Sequence, residues 1–136
     1  MKGIISIENT VKDIREKGGI STLSLERRGL AHSIVYNIES HGNYAMRNLF
    51  KYLDLMGYNV KTNGQIAADI VELGSVLKGF RENAKYTLRL MEQKTGLYNT
   101  QIIDIEKGRG YTKNTLLKYL AAFDNVKLEI AKNSSI

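Results

Sequence analysis

Residues 29–53 read GLAHSIVYNIESHGNYAMRNLFKYL, and residues 96–120 read GLYNTQIIDIEKGRGYTKNTLLKYL. The two stretches align without a gap at a shift of 67 positions, and nine of their 25 positions are identical. Identical glycine, glutamate and tyrosine positions indicate an internal repeat rather than chance similarity between two helical segments. Upstream, three more pairs match at a shift of 66, so the first copy is one residue shorter: Lys12 with Lys78, Arg15 with Arg81, and Glu16 with Glu82.

The composition is that of a small globular protein. Of 136 residues, 43% are apolar and 25% are charged, which argues against wholesale disorder. Cysteine is absent, and two histidines are too few for a His-rich metal site, so we expect no metal and no cofactor. No apolar run approaches the ~20 residues of a membrane span, and the first eight residues lack the apolar stretch of a secretory signal. These features predict a cytoplasmic protein with no membrane partner.

Each copy has the pattern of four to five short helices, so we expect an all-α fold. In the second copy, apolar residues recur at three- and four-residue steps from about 69 to 83. Thr87 is placed to cap the next helix and Gly96 to end it. In the first copy, Ser21 is placed to cap the second helix, and Thr10 resembles the start of a capping box.

Little sheet is expected, and the two copies predict two domains. Short runs with β character occur at 4–7, 58–61 and 126–130. We assign the first domain to residues 1–62, a linker to 63–68 and the second domain to 69–136.

Two short helices joined by a glycine-containing turn are typical of a helix-turn-helix. The second copy has the fuller pattern: Leu77-Lys78, Arg81-Glu82, Tyr86-Thr87, Met91, Lys94-Thr95-Gly96-Leu97, Ile102, Ile105-Glu106-Lys107-Gly108 and Thr115 to Leu120. Residues 70–125 resemble the Cro and lambda-type phage repressors, also called the xenobiotic-response-element family of helix-turn-helix regulators. Residues 11–58 resemble a diverged member with a shortened second helix. The resemblance implies tandem, lambda-repressor-like helix-turn-helix domains.

The resemblance also implies which residues read DNA, because in this family the third helix lies in the major groove. The base-reading positions are Asn99, Thr100, Gln101 and Asp104 in the second copy, and His32, Ser33 and Asn37 in the first. Asn can bond adenine in bidentate fashion, and Thr can touch a thymine methyl group. Neither set contains Arg or Lys, so guanine-rich recognition is not expected.

Basic residues near the ends of these helices are expected to contact phosphate. They are Lys107, Arg109 and Lys113 in the second copy and Arg47 in the first, and Thr87 is expected to offer backbone amides at a helix start. The resemblance further implies an ion pair between the first and third helices of each copy. These pairs are Arg15 with Glu39 and Arg81 with Glu106.

No pattern indicates catalysis, so we do not expect an enzyme. There is no supported Ser/His/Asp set or carboxylate pair, and Gly108-Arg109-Gly110 is too short for a phosphate-binding loop. Tyr52 and Tyr119 lie within apolar stripes, which indicates core packing rather than base stacking.

The sequence therefore predicts a nucleoid-associated DNA-binding transcriptional regulator, as a repressor, with double-stranded DNA as its partner. The net charge of +6 favours such a polyanion. The copies would form an internal pseudo-dimer, or whole chains would form a homodimer. The alternative is that the first copy is a protein-interaction or dimerisation module, of the antitoxin or phage-inhibitor type, with Ile34 and Tyr36 as exposed anchors.

Overall fold

The protein is mostly helical with a small three-stranded sheet, in a computed structural model that describes residues 5–133. The elements follow one another as α1 (Ile5–Glu8), α2 (Val11–Lys17), α3 (Thr22–Arg27), α4 (His32–Glu39), α5 (Met46–Met56), β1 (Tyr58–Thr62), β2 (Gln65–Ala67), α6 (Ile70–Asn83), α7 (Leu88–Thr95), α8 (Asn99–Lys107), α9 (Lys113–Leu120) and β3 (Leu128–Lys132).

The repeat in the sequence is a repeat of helices. We call residues 5–57 copy one and residues 70–123 copy two. Helices α3, α4 and α5 correspond to α7, α8 and α9, and α1 with α2 corresponds to the single helix α6. Ile7 and Val11 of copy one are as fully buried as Leu73 and Leu77, which hold the same positions in copy two.

Two of the predicted helix starts and one predicted end have the expected geometry. The Ser21 hydroxyl accepts a hydrogen bond from the Ser24 amide, and the Thr87 hydroxyl accepts one from the Leu90 amide. Gly96 ends α7 in the left-handed region, at φ 75°, which glycine adopts without steric cost. Thr10 differs, because its hydroxyl donates to the Ile7 carbonyl instead of capping α2.

The expected strand near the N-terminus is wrong, and the segment expected to be a linker has regular structure. Ile5–Glu8 is helix α1 rather than a strand, because these residues form the first turn that α6 has in copy two; residue 4 lies outside the described residues. The segment 63–68, expected to be a linker, contains the turn and second strand of a hairpin. Asn63 and Gly64 both have positive φ, at 48° and 88°, as a two-residue hairpin turn requires.

The sheet joins the two predicted domains. Its strand order is β2-β1-β3, and both pairings are antiparallel. Strand β1 follows copy one, whereas β3 follows copy two, so the β1–β3 ladder pairs residues from both sides of the expected boundary. One continuous apolar core extends from Ile7 to Leu128.

An approximate two-fold axis relates the copies. The Met46 amide donates to the Tyr111 carbonyl at 2.9 Å, and the Lys113 amide donates to the Tyr44 carbonyl at 2.8 Å. The shift of 67 exchanges these two bonds. Between them an isolated β-bridge pairs Ala45 with Thr112. Thr112 holds in copy two the position that Ala45 holds in copy one. Pairing of equivalent residues is the mark of a two-fold interface.

The sheet is a second contact between the two halves of the chain. Val60 lies opposite Ile130, with Tyr58 opposite Lys132 at one end of the ladder and Thr62 opposite Leu128 at the other. A shift of 70 carries β1 onto β3 and exchanges these outer pairs. Helix α5, 11 residues and so about 16 Å long, connects the bridge to the sheet. The bridge and the sheet are therefore two separate places where the two halves of the chain meet.

Candidate nucleic-acid interface

A buried arginine fixes the orientation of α8. The Arg81 guanidinium donates to both carboxylate oxygens of Glu106, at 2.6 and 3.0 Å, and to the Tyr86 carbonyl at 2.9 Å. Tyr119 donates its hydroxyl to the same carboxylate at 2.7 Å. The hydrogen bond with Glu106 raises the pKa of Arg81. The predicted Arg81–Glu106 pair is present and ties α6 to the end of α8, while Tyr119 ties α9 to the same carboxylate.

Copy one repeats this arrangement around α4. Arg15 donates to both oxygens of Glu39, at 2.7 and 3.2 Å, and to the Ile20 carbonyl at 2.9 Å. The Tyr52 hydroxyl donates to Glu39. Copy one is one residue shorter than copy two, yet Arg15 of α2 and Glu39 of α4 remain in contact.

The N-terminal part of α8 offers polar side chains to solvent. Asn99 and Thr100 are exposed. Gln101 is committed locally, because its side-chain oxygen accepts from the Tyr98 amide at 2.9 Å and completes the helix cap. Asp104 lies 3.4 Å from Arg109 in a partly exposed ion pair. Asn99 and Thr100 are thus the two predicted base-reading residues of copy two that are free of side-chain bonds within the described part of the chain.

Helix α4 presents fewer polar groups than expected. His32 and Ser33 are exposed, and the His32 ring lies 4.0 Å from the Glu26 carboxylate. Asn37 donates to the Asn43 carbonyl at 2.7 Å and so holds the turn after α4. This bond engages one of the two amide protons of Asn37.

The predicted phosphate contacts divide into exposed and buried residues. Lys107, Arg109 and Arg47 are exposed. Lys113 is not a surface residue, since its side chain is 7% exposed and its ammonium lies 2.7 Å from Glu8 and 2.9 Å from the His41 carbonyl. The expectation of a phosphate contact at Lys113 is therefore wrong. The Thr87 hydroxyl is bonded within its own helix.

Glu8 has a role that the sequence did not suggest. Its carboxylate is 3% exposed and accepts from Lys113 and, at 2.9 Å, from the Tyr44 hydroxyl. The two ionised groups are 105 positions apart in the chain. The network closes the contact between the copies beside the bridge. In copy two the equivalent tyrosine, Tyr111, has a buried hydroxyl without a hydrogen-bond partner among residues 5–133.

Two equivalent grooves flank the bridge. One lies between α4 and the start of α5, and the other lies between α8 and the start of α9. The residues that line the second groove hold the same positions, at a shift of 67, as residues that line the first. The first is lined by Ser33, Ile34, Tyr36, Asn37, Asn43, Tyr44, Ala45 and Asn48, and the second by Gln101, Asp104, Gly110, Tyr111, Thr112 and Thr115. The grooves place α4 and α8 symmetrically about one point of the axis.

Comparison of the chain with protein-family models, curated proteins and solved structures found no match. Over residues 5–133, no helix is both long and apolar enough to cross a membrane. The same residues contain no cluster of His, Asp and Glu that could hold a metal ion.

Proposed function

We propose that the protein is a sequence-specific DNA-binding transcriptional regulator, a repressor built from two helix-turn-helix copies in one chain. Helices α4 and α8 would lie in successive major grooves on one face of the duplex. The observation that carries this proposal is the two-fold arrangement of the copies about the Ala45–Thr112 bridge. Operators of such proteins mirror the two-fold symmetry of the protein, with half-sites one helical turn, about 34 Å, apart.

Copy two has the more favourable chemistry for DNA. Asn99 and Thr100 are exposed at the start of α8, and Lys107 and Arg109 are exposed at its end. A base-reading amide followed by cations at the groove edge matches the usual division between base and phosphate contacts. Copy one presents His32 and Ser33 instead, so the two half-sites would differ in sequence.

The test begins with selection of bound sequences from a random duplex library, using the full chain. On the selected site, Asn99→Ala should relax the preference at one base position and cost about 1–3 kcal/mol. On random duplex its effect should be small. Arg109→Ala should weaken binding on both DNAs and flatten the salt dependence by about one phosphate contact.

Asn125→Ala is the matched control for Asn99, because Asn125 is an exposed asparagine in the segment between α9 and β3. It should leave both affinities unchanged. Absence of any selected sequence would overturn the proposal. Equal losses for Asn99→Ala on selected and random DNA would show that Asn99 is not a base reader.

The exposed ring of Tyr36 favours a second candidate for copy one. The side chain is 68% exposed on α4, whereas Ile34, expected beside it as an anchor, is half-buried against the core. In this version copy one binds a protein or a second chain, and copy two alone binds DNA. The alternative would be favoured over DNA binding by both copies if the protein protected a single half-site of the DNA and His32→Ala left the affinity for DNA unchanged.

A further inference from the structure

A cavity of about 190 Å³ lies in copy two between α6, α7 and α8, and we call it the copy-two cavity. It is lined by Lys78, Arg81, Leu88, Ile103, Glu106 and Lys107. None of these residues lines either groove beside the bridge. The volume is that of about six molecules of liquid water, so the cavity has room for a small molecule rather than a drug-sized ligand.

The copy-two cavity combines an aliphatic wall with cations. Leu88 and Ile103 form the aliphatic part, and both are partly exposed. Lys78 and Lys107 are exposed, and neither ammonium group forms an ion pair with any other group of residues 5–133. A ligand with an aliphatic chain and a negative charge would match both features.

The carboxylate among the lining residues does not oppose such a ligand. Both oxygens of Glu106 accept hydrogen bonds from Arg81, and one also accepts from Tyr119. The charge of Glu106 is therefore balanced by the Arg81 guanidinium. The two lysine charges are left without a counter-charge, so the cavity favours an anion.

The repeat shows that the fold itself does not require this chemistry. Thr22 is the first residue of α3, as Leu88 is of α7, and Ser40 corresponds to Lys107 at a shift of 67. Copy one therefore forms the same three-helix arrangement without an aliphatic residue at the first position and without a lysine at the second. The combination of the two belongs to copy two.

We propose that the copy-two cavity binds a small amphipathic carboxylate as an effector. Its aliphatic chain would lie against Leu88 and Ile103, and its carboxylate would accept charge-assisted hydrogen bonds from Lys78 and Lys107. Removal of the chain from water supplies the apolar part of the binding free energy. A ligand of this size is expected to bind with a Kd on the order of 1 mM.

The effector would act on DNA binding through Lys107, a step that rests on the proposed function. Lys107 is one of the expected phosphate contacts at the end of α8. A carboxylate bound to this ammonium would take the place of a phosphate, so effector and DNA would compete. By linkage, each lowers the affinity of the protein for the other by the same factor.

The experiment uses the full chain without DNA and hexanoate as the probe, at pH 7. In a two-dimensional NMR titration, hexanoate should shift backbone amides of α6, α7 and α8 and leave those of copy one unchanged. Acetate lacks the chain, hexan-1-ol lacks the charge, and hexylamine has the opposite charge. Each of these three compounds should bind about tenfold more weakly than hexanoate, or weaker still.

Lys78→Glu should weaken hexanoate binding by about tenfold, because it replaces an attractive charge with a repulsive one. Lys12→Glu is the matched control. Lys12 holds the equivalent exposed position of copy one, and each lysine is followed four residues later by a glutamate, Glu16 or Glu82. The two variants have the same net charge, and thermal unfolding should affect them alike. Lys12→Glu should keep the affinity of the wild type.

The DNA arm measures affinity for the selected duplex with hexanoate, and with acetate at the same concentration as the ionic-strength control. Hexanoate should weaken DNA binding several-fold relative to acetate, the weight of about one phosphate contact. This difference should be absent in Lys78→Glu and kept in Lys12→Glu.

Equal binding of acetate and hexanoate, or equal losses for Lys78→Glu and Lys12→Glu, would show that the cavity is not the site. Hexanoate binding that leaves DNA affinity unchanged would refute the competition. If no duplex is selected, the proposed function fails, whereas the titration without DNA still decides whether the cavity binds the carboxylate.

Discussion

A buried arginine, a glutamate and a tyrosine recur twice with the same geometry. Arg81, Glu106 and Tyr119 join three helices of copy two, and every one of these side chains is mostly buried. Buried charged groups are tolerated when they are paired and hydrogen-bonded. Removal of one partner is costly, because the other charge is then left buried and unpaired. These residues therefore hold α8 in place more than they add to net stability.

We predict that Glu106→Ala lowers the free energy of unfolding by about 3–5 kcal/mol, because it leaves the Arg81 charge buried and unpaired. Asp104→Ala is the control on the same helix. Its ion pair with Arg109 is partly exposed, so its loss should cost about 0–1 kcal/mol. Urea unfolding of the two variants measures both costs, and similar values would contradict the buried role of Glu106.

Four buried tyrosines predict a loss of stability in alkali. Burial, the largest cause, raises the pKa of Tyr44, Tyr52, Tyr111 and Tyr119 above the ordinary value of 10.0. Above pH 10 the unfolded chain loses these protons while the folded chain keeps them, so rising pH favours unfolding. The stabilising contribution is complete below pH 10 and falls by about 1.4 kcal/mol per pH unit for each tyrosine above it.

Urea unfolding between pH 9 and 11.5 measures this slope. Tyr119→Phe removes one titrating group and should make the slope shallower, although it also removes a bond to Glu106 and lowers stability at every pH. If stability fell equally steeply with pH in the variant and the wild type, Tyr119 would not contribute to the loss of stability in alkali.

At the scale of elements, one glycine sets how closely α6 approaches α8. A Cβ atom at Gly74 would lie 2.5 Å from the Ile105 carbonyl oxygen and 2.6 Å from that of Glu106. Backbone carbonyls cannot move aside without shifting the helix. In copy one Glu8 holds the equivalent position, and there the helix is interrupted between α1 and α2. The change from Gly74 to Glu8 therefore coincides with the main difference between the copies, which is the break between α1 and α2.

Gly74→Ala should destabilise the protein by about 1–3 kcal/mol by overpacking this contact, and it should weaken the proposed DNA binding by displacing α8. Gly79 lies on the same helix with no atom within 4 Å of an added Cβ. Gly79→Ala should therefore stabilise the protein by about 0.5–1 kcal/mol through helix propensity. Thermal unfolding of both variants tests the pair, and a change of the same sign would contradict the close approach.

At the scale of the whole molecule, the two copies form one folded unit. They share a core, a sheet and the bridge at residues 45 and 112. The Glu8–Lys113 pair breaks the two-fold symmetry, because Met46 stands where copy two has Lys113. A single buried ion pair thus distinguishes the two sides of the interface.

We expect strong coupling between Glu8 and Lys113 in a double-mutant cycle. Glu8→Ala or Lys113→Met alone should cost about 3–5 kcal/mol, and the double variant should cost clearly less than the sum. The exposed pair Asp13–Lys17, at 3.0 Å, is the control and should show coupling of about 0.3–0.5 kcal/mol. Equal coupling in the two cycles of urea unfolding would rule out the buried role.

The sequence by itself determined the repeat and most of the helices, and the resemblance to the phage repressors implied the two Arg–Glu pairs. Helix caps, glycine stops and apolar periodicity act over a few residues, and a repeat transfers each position from one copy to the other. The shift of 66 that matches Arg15 with Arg81 also matches Ile7 with Leu73, so it could have identified α1 as a helix. The β character of four residues is a weaker signal than this match.

Only the tertiary structure decided how the copies meet. The burial of Lys113 depends on Glu8, 105 positions away, and the position of Arg47 depends on Gly110 in the other copy. The central sheet likewise pairs β1 with a strand about 70 residues further along the chain. Periodicity and capping carry no information about contacts at such separations, because these contacts form only when both copies are folded and their surfaces fit together.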